Sequence, residues 1–158
     1  MKPSLKVTSS GASMKLETML DRGKSMQSFL NRNIYQIYQS AQRERWMTEN
    51  SSQSGNGQRW ERLDPTYAKR KRRIYASYEG GGSKMLVATG KLYKAVVGPG
   101  QGQRKIVTNS KLYISTNVPY AGNVDDARSF ASWSPAFRAR VMKAITDFIQ
   151  FNINRGGE

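Results

Sequence analysis

A row of apolar residues early in the chain constrains the fold more than any other feature. Leu16, Met19, Met26, Leu30, Ile34, Ile37 and Ala41 recur at spacings of three, four and seven, with Gly23 on the same row. A period of 3.6 puts such positions on one face of a helix. The spacing predicts a long amphipathic helix over residues 13–48, with a break near Gly23. Phe29, Tyr35, Tyr38 and Trp46 widen its apolar surface beyond a single stripe. A helix that wide packs either on its own domain or on another subunit, and the pattern leaves both open. Residues 1–12 are small and polar and read as a flexible arm. Residues 13–158 then form one domain, an ordinary length for a single core.

The rest of the chain alternates punctuation with short periodic runs. "NSSQSGNGQ", residues 50–58, reads as a loop. Asp64-Pro65 is a helix start, with Asp as N-cap and Pro in the first helical position. The short basic helix that follows, 65–78, places Tyr67, Ile74 and Tyr78 on one face and ends at "EGGGSK". "LYKAVVG" reads as a helical turn that continues as a strand, and "GPGQGQ" as a turn. "RKIVTNSKLYISTN" alternates as a β-hairpin about Asn109-Ser110. "VPYAGNVDDARSFAS" has no period and reads as irregular. Ser134-Pro135 repeats the cap-plus-proline start. Phe137, Val141, Ala144, Ile145, Phe148 and Ile149 then mark a C-terminal amphipathic helix over 135–152. The expected class is α+β: a long N-terminal helix, a short basic middle helix, a small antiparallel sheet and a C-terminal helix.

Composition narrows the chemistry. The 158 residues include neither cysteine nor histidine. Disulfides, thiolate metal sites and Cys nucleophiles are therefore excluded, as are Ser-His-Asp and Cys-His hydrolysis and most zinc chemistry. Catalysis would have to rest on Asp, Glu, Lys, Tyr, Ser or Thr. The 26 Lys and Arg against 11 Asp and Glu give a net charge of +15, which favours nucleic acid, an anionic surface or an acidic protein as partner. The opening "MKPSLKVTSSGASMKL" is basic with no apolar stretch, unlike a secretory leader. No apolar run approaches the ~20 residues of a membrane span. The expectation is a soluble protein, cytoplasmic when made.

Thr89-Gly90-Lys91 looks like the end of a phosphate-binding loop, but it lacks what that loop requires. The first glycine of G-x-x-x-x-G-K-[ST] falls on Met85, and the hydroxyl position after the lysine is Leu92. "GPGQGQ" misses the dinucleotide fingerprint by one residue and precedes a strand rather than a helix. Asp125-Asp126 is the one adjacent acidic pair. On a loop it is a candidate for Mg²⁺ or Ca²⁺, which want several oxygen ligands. It reads more simply as a solvated loop or as an ion-pair partner for Arg128 or a neighbouring subunit. No residue set points to an enzyme, and no cofactor is implied. The basic residues say more. Between Pro65 and Val124 there are 11 Lys and Arg and a single acid, Glu79. Lys69, Arg70, Lys71, Arg72 and Arg73 are consecutive and would neutralise several phosphates without reading sequence.

The order of the segments resembles the virion morphogenesis (tail-completion) proteins of tailed bacteriophages. The resemblance rests on Trp60, Leu63, Tyr67 and Lys71 in the first motif and on Leu86, Thr89, Gly90 and Leu92 in the second. After the hairpin come Tyr120 and Ala121, then Arg128 and Phe130 before the last helix. It covers residues 14–152. Relatives often carry His and Gly after the Tyr-Ala pair, where this chain has Asn123-Val124-Asp125-Asp126.

The resemblance implies a non-enzymatic virion protein at the neck or top of the tail. It would form a ring, expected to be hexameric, that completes the tail and joins tail tube to head-tail connector while double-stranded DNA passes through. It also implies that Thr89-Gly90 is a structural turn between the core residues Leu86 and Leu92. The charge then suggests that Lys69, Arg70, Lys71, Arg72, Arg73, Lys91, Lys94, Arg104 and Lys105 meet DNA in the lumen or an acidic neighbour. The alternative is a free, non-specific nucleic-acid-binding protein that uses the basic helix 65–78.

Overall fold

The computed structural model describes residues 26–52, 55, 57–98 and 102–154. The expected arm, the first part of the long helix and its break near Gly23 lie outside the described residues. From Met26 the chain is helical as expected, but not uniformly so. Helix α1 (Met26–Phe29) passes through a π-helical turn (Leu30–Ile34) into α2 (Tyr35–Met47). The Tyr35 N–H reaches back five residues to Leu30 O, which adds about one residue to that turn. The extra residue resets the phase of the buried face. Of the two residues expected on the apolar surface here, Tyr38 is buried and Ile37 packs against the core while partly exposed.

Helix α2 ends where Glu49 and Asn50 both take left-handed backbone angles, φ 51° and 72°. Asn tolerates this region better than most residues. The Asn50 side chain donates to Gln58 O at 2.8 Å, and the Trp60 N–H donates to Glu49 O at 2.9 Å. These bonds hold Gln58 and Trp60 against the helix end and set Trp60 against Trp46, with ring centroids 5.6 Å apart.

The remaining elements are α3 (Pro65–Ile74), α4 (Lys91–Val97), β1 (Gln103–Val107), β2 (Leu112–Thr116), α5 (Ala121–Arg128) and α6 (Pro135–Asn154). The strands pair antiparallel, with Gln103 opposite Thr116 and Val107 opposite Leu112. The Thr108 N–H donates to Lys111 O, so Asn109-Ser110 is the two-residue turn that the alternation predicted. Leu112 and Ile114 face inward, while Ile106 on the opposite face is exposed. Ser134 caps α6 by accepting from the Phe137 N–H at 3.1 Å.

Three sequence expectations change. Residues 91–97 are helical throughout, with no strand. Residues 121–128 are helical rather than irregular. The basic helix stops at Ile74, and residues 75–90 follow as turns. Both corrected helices are a few turns at most, too short for a hydrophobic period to show.

The fold is α+β, with two apolar clusters strung along one helix. The first joins α1, the π-helical turn and most of α2 to Leu112 and Ile114 of the hairpin and to Phe137 and Val141 of α6. The second gathers Trp46, Trp60, Met85, Val87, Leu92, Ala95, Val96, Val97, Val118, Ala121 and Phe130. The aromatics that widened the long helix, Phe29, Tyr35, Tyr38 and Trp46, are thus buried within the chain itself. Gln103 ties the two clusters: it accepts from the Tyr35 hydroxyl and donates to Val96 O. No helix among the described residues is long and apolar enough to cross a membrane.

Candidate functional site

Helix α3 begins where the sequence placed it. Asp64 Oδ1 accepts from the backbone N–H groups of Thr66 (2.9 Å) and Tyr67 (3.0 Å), and Pro65 fills the first helical position. The expected apolar face does not turn inward. Tyr67 and Ile74 are 49% and 48% exposed, and Tyr78, beyond the helix, is 47% exposed. The side chain that goes in is Lys71, 4% exposed, whose Nζ donates to Lys84 O. Lys71 is therefore withdrawn from the surface set of cations. Lys69, Arg70, Arg72 and Arg73 stay exposed.

Burial pulls the Lys71 ammonium below the ordinary lysine value of 10.5. Below 10.5 and above its depressed native value, the unfolded chain binds more protons than the folded one. Stability contributed at this site therefore rises with pH through that window. Urea midpoints of the wild type and Lys71→Met, compared at matched pH values, should draw apart in favour of the wild type as pH climbs toward 10.5. A constant difference would mean that Lys71 is hydrated in the fold. The comparison cancels the opposite trend of the tyrosines: burial raises the pKa of Tyr35 and Tyr38, so both lose stability once the unfolded chain ionises at higher pH.

The turns after α3 are packed tightly at one point. A Cβ on Gly81 would stand 2.2 Å from Ala88 O and 2.7 Å from Tyr75 O. Gly81→Ala must push the 86–90 segment away from α3, so it should cost about 1–3 kcal/mol in urea unfolding, the range for overpacking. A cost near zero would show that the segment moves freely. Leu86 holds φ 57° and Gly90 φ 77°. The second value is the unusual backbone angle expected at Gly90, which caps α4. Thr89 Oγ1 accepts from the Lys91 N–H at 3.4 Å, a weak local bond. Leu92 is buried and Leu86 is half-buried against the second cluster.

These segments enclose a cleft of about 720 Å³ between α3, the 86–92 segment and α5. Of the residues that carried the family resemblance, Leu63, Tyr67, Lys71, Leu86, Thr89, Gly90, Leu92, Tyr120 and Arg128 line it. Trp60, Ala121 and Phe130 lie in the cluster beneath. Asn123 and Val124, where the chain departs from the family pattern, also line it, as do Tyr75, Ala88 and Ala127, which no motif marked. Asp64 is the one carboxylate lining the cleft, against the cations Lys71, Lys91 and Arg128. The Arg128 guanidinium reaches Glu61 O at 3.4 Å.

The other predicted cations lie elsewhere. Lys94 faces a separate hollow of about 230 Å³ with Met47 and Tyr78. Arg104 and Lys105 are exposed on the hairpin. The Lys105 ammonium sits 4.1 Å from the Tyr35 ring centroid and donates to Asn31 Oδ1 at 2.7 Å.

Asp125 anchors the segment that follows α5. Its Oδ1 accepts from the N–H groups of Phe130 and Ala131, both at 2.8 Å. Phe130 O in turn accepts from Arg45 Nη1, and Arg45 is 2% exposed. Burial lowers the pKa of the Arg45 guanidinium, while Tyr38 and Asp125 oppose that shift. Among the described residues there is no group of three or more His, Cys, Asp or Glu placed to hold a metal ion.

No family model, curated protein or solved structure matches the chain.

Proposed function

We propose that this chain is a structural virion protein of a tailed bacteriophage. It forms a ring at the neck or top of the tail, completes the tail and joins it to the head connector, with DNA passing through. The observation that supports this reading best is the convergence of short motifs, scattered from Trp60 to Phe130, on one cleft and the core beneath it. A hollow with tyrosines at its rim and leucines along its lining offers the kind of surface a protein partner can occupy. The exposed cations Lys69, Arg70, Arg72, Arg73 and Arg104 supply a sequence-independent attraction for passing DNA or for an acidic neighbour.

The test is the mass of the purified protein by light scattering, alone and with a tail-tube protein. A discrete ring in either sample agrees with the proposal. A monomer that ignores the tube protein but binds duplex DNA at ~0.15 M salt would replace it with the second reading, a free nucleic-acid binder. The exposure of four cations on α3 favours that reading. Under it, reversing the charge of Arg70 and Arg73 should flatten the plot of log affinity against log salt by roughly 0.9 for each phosphate no longer neutralised.

A further inference from the structure

We propose that the cleft between α3 and α5 is a docking groove for a peptide segment of a partner protein, one with a large apolar anchor flanked by carboxylates. The floor is apolar: Leu63, Leu86, Leu92 and Val124 line it. Two tyrosines stand at its edges with much of their surface in solvent, Tyr67 at 49% and Tyr120 at 44%. Tyrosines placed this way supply contact area at little cost in side-chain entropy and are over-represented among interface anchors.

Charge chooses the occupant. With Lys71 buried and engaged by Lys84 O, the cations left to meet an occupant are Lys91 and Arg128, against one carboxylate, Asp64, whose Oδ1 already accepts two helix N–H groups. A wholly apolar segment would leave that field unanswered, and a basic one would be repelled. Duplex DNA answers the charge but not the shape. Its phosphates lie on the outside of a wide cylinder and put nothing apolar into a concave floor, whereas a leucine or aromatic side chain fills it. The groove is also built before anything binds. Gly81 packs against Ala88, and the left-handed turn at Leu86 together with Gly90 fixes the wall, so little ordering has to accompany docking. This deepens the head-tail joint reading by giving the chemistry of what is held. It rests on that reading only for which protein carries the segment.

A random dodecapeptide library panned on the full chain, and counter-panned on Tyr67→Ser/Tyr120→Ser, tests it. Enrichment of peptides that pair an aromatic or leucine anchor with two or more carboxylates is the expected result. A synthetic copy of one such peptide should bind the full chain and weaken roughly tenfold or more, the loss of one interface anchor, in the tyrosine double variant and in Lys91→Glu/Arg128→Glu. Circular dichroism would confirm that both variants remain folded. No cleft-dependent enrichment, enrichment without carboxylates, or displacement of the peptide by a duplex oligonucleotide with the same dependence on Tyr67 and Tyr120 would each overturn the proposal. Ring formation is read separately by light scattering. A ring with no peptide preference sinks the groove and leaves the joint protein standing; a peptide preference with no ring does the reverse.

Discussion

Trp46→Ala should lower the free energy of unfolding by about 3–5 kcal/mol, the range for emptying a buried aromatic site. Trp46 is 3% exposed and stands at the centre of the second cluster. Its ring centroid lies 5.6 Å from Trp60, 5.5 Å from Tyr93 and 6.0 Å from Phe130. Edge-on and tilted pairs of this kind add about 0.5–1.5 kcal/mol each beyond the area they bury. The substitution would also free the floor beneath the cleft, since Leu92 and Phe130 share that cluster. Trp46→Phe should cost much less. It keeps most of the ring packing and removes an indole N–H that is buried without a hydrogen-bond partner among the described residues. Urea unfolding followed by circular dichroism gives both values. Equal costs for the two variants would mean that the indole, rather than ring packing, holds the cluster.

Arg45→Ala is the second large effect, about 3–4 kcal/mol, combining a charge-assisted hydrogen bond with an unfilled cavity. Arg45 joins α2 to the segment after α5 through Phe130 O, and Asp125 fixes the same segment through the N–H groups of Phe130 and Ala131. Removing the guanidinium leaves a buried carbonyl without its donor. Arg45→Met fills most of the space and should cost about 2 kcal/mol, close to the hydrogen bond alone. A methionine variant more stable than the wild type would show that desolvating the guanidinium costs more than its interactions return, as happens for some buried ion pairs. Unfolding midpoints of the three chains decide the order.

Much of the scaffold is legible in the residues. The caps Asp64 and Ser134, the hairpin about Asn109-Ser110 and the α+β class rest on local chemistry that acts over a few residues, and local chemistry survives folding. What the residues hide is of longer reach. Tyr38 sits deeper than Ile37, which packs at the edge of the same cluster, because the π-helical turn shifts the phase, and nothing in "LNRNI" announces such a turn. Lys71 goes inside, against the habit of lysines, because Lys84 O waits for it from across a turn. Asp125 reads as one of an acidic pair in the sequence, whereas in the fold it accepts from two backbone amides, partners that a sequence does not display. The cleft is legible only as separate motifs. That they meet is a tertiary fact, made by the turns of residues 75–90 bringing Leu86 and Gly90 beside α3.

The widened turn at Leu30–Ile34 governs how the gene can change. A substitution there alters one side chain and leaves every later residue on its own face. Losing one residue would restore an ordinary helix and rotate α2 by about 100°, the angle of a single helical step, carrying Tyr38, Arg45 and Trp46 away from their partners together. The two clusters are thus keyed to one another by chain length as well as by side chains. Over this stretch Asn31, Arg32 and Asn33, which are exposed, can change, Leu30 and Ile34 are held by the core, and insertion or deletion is closed.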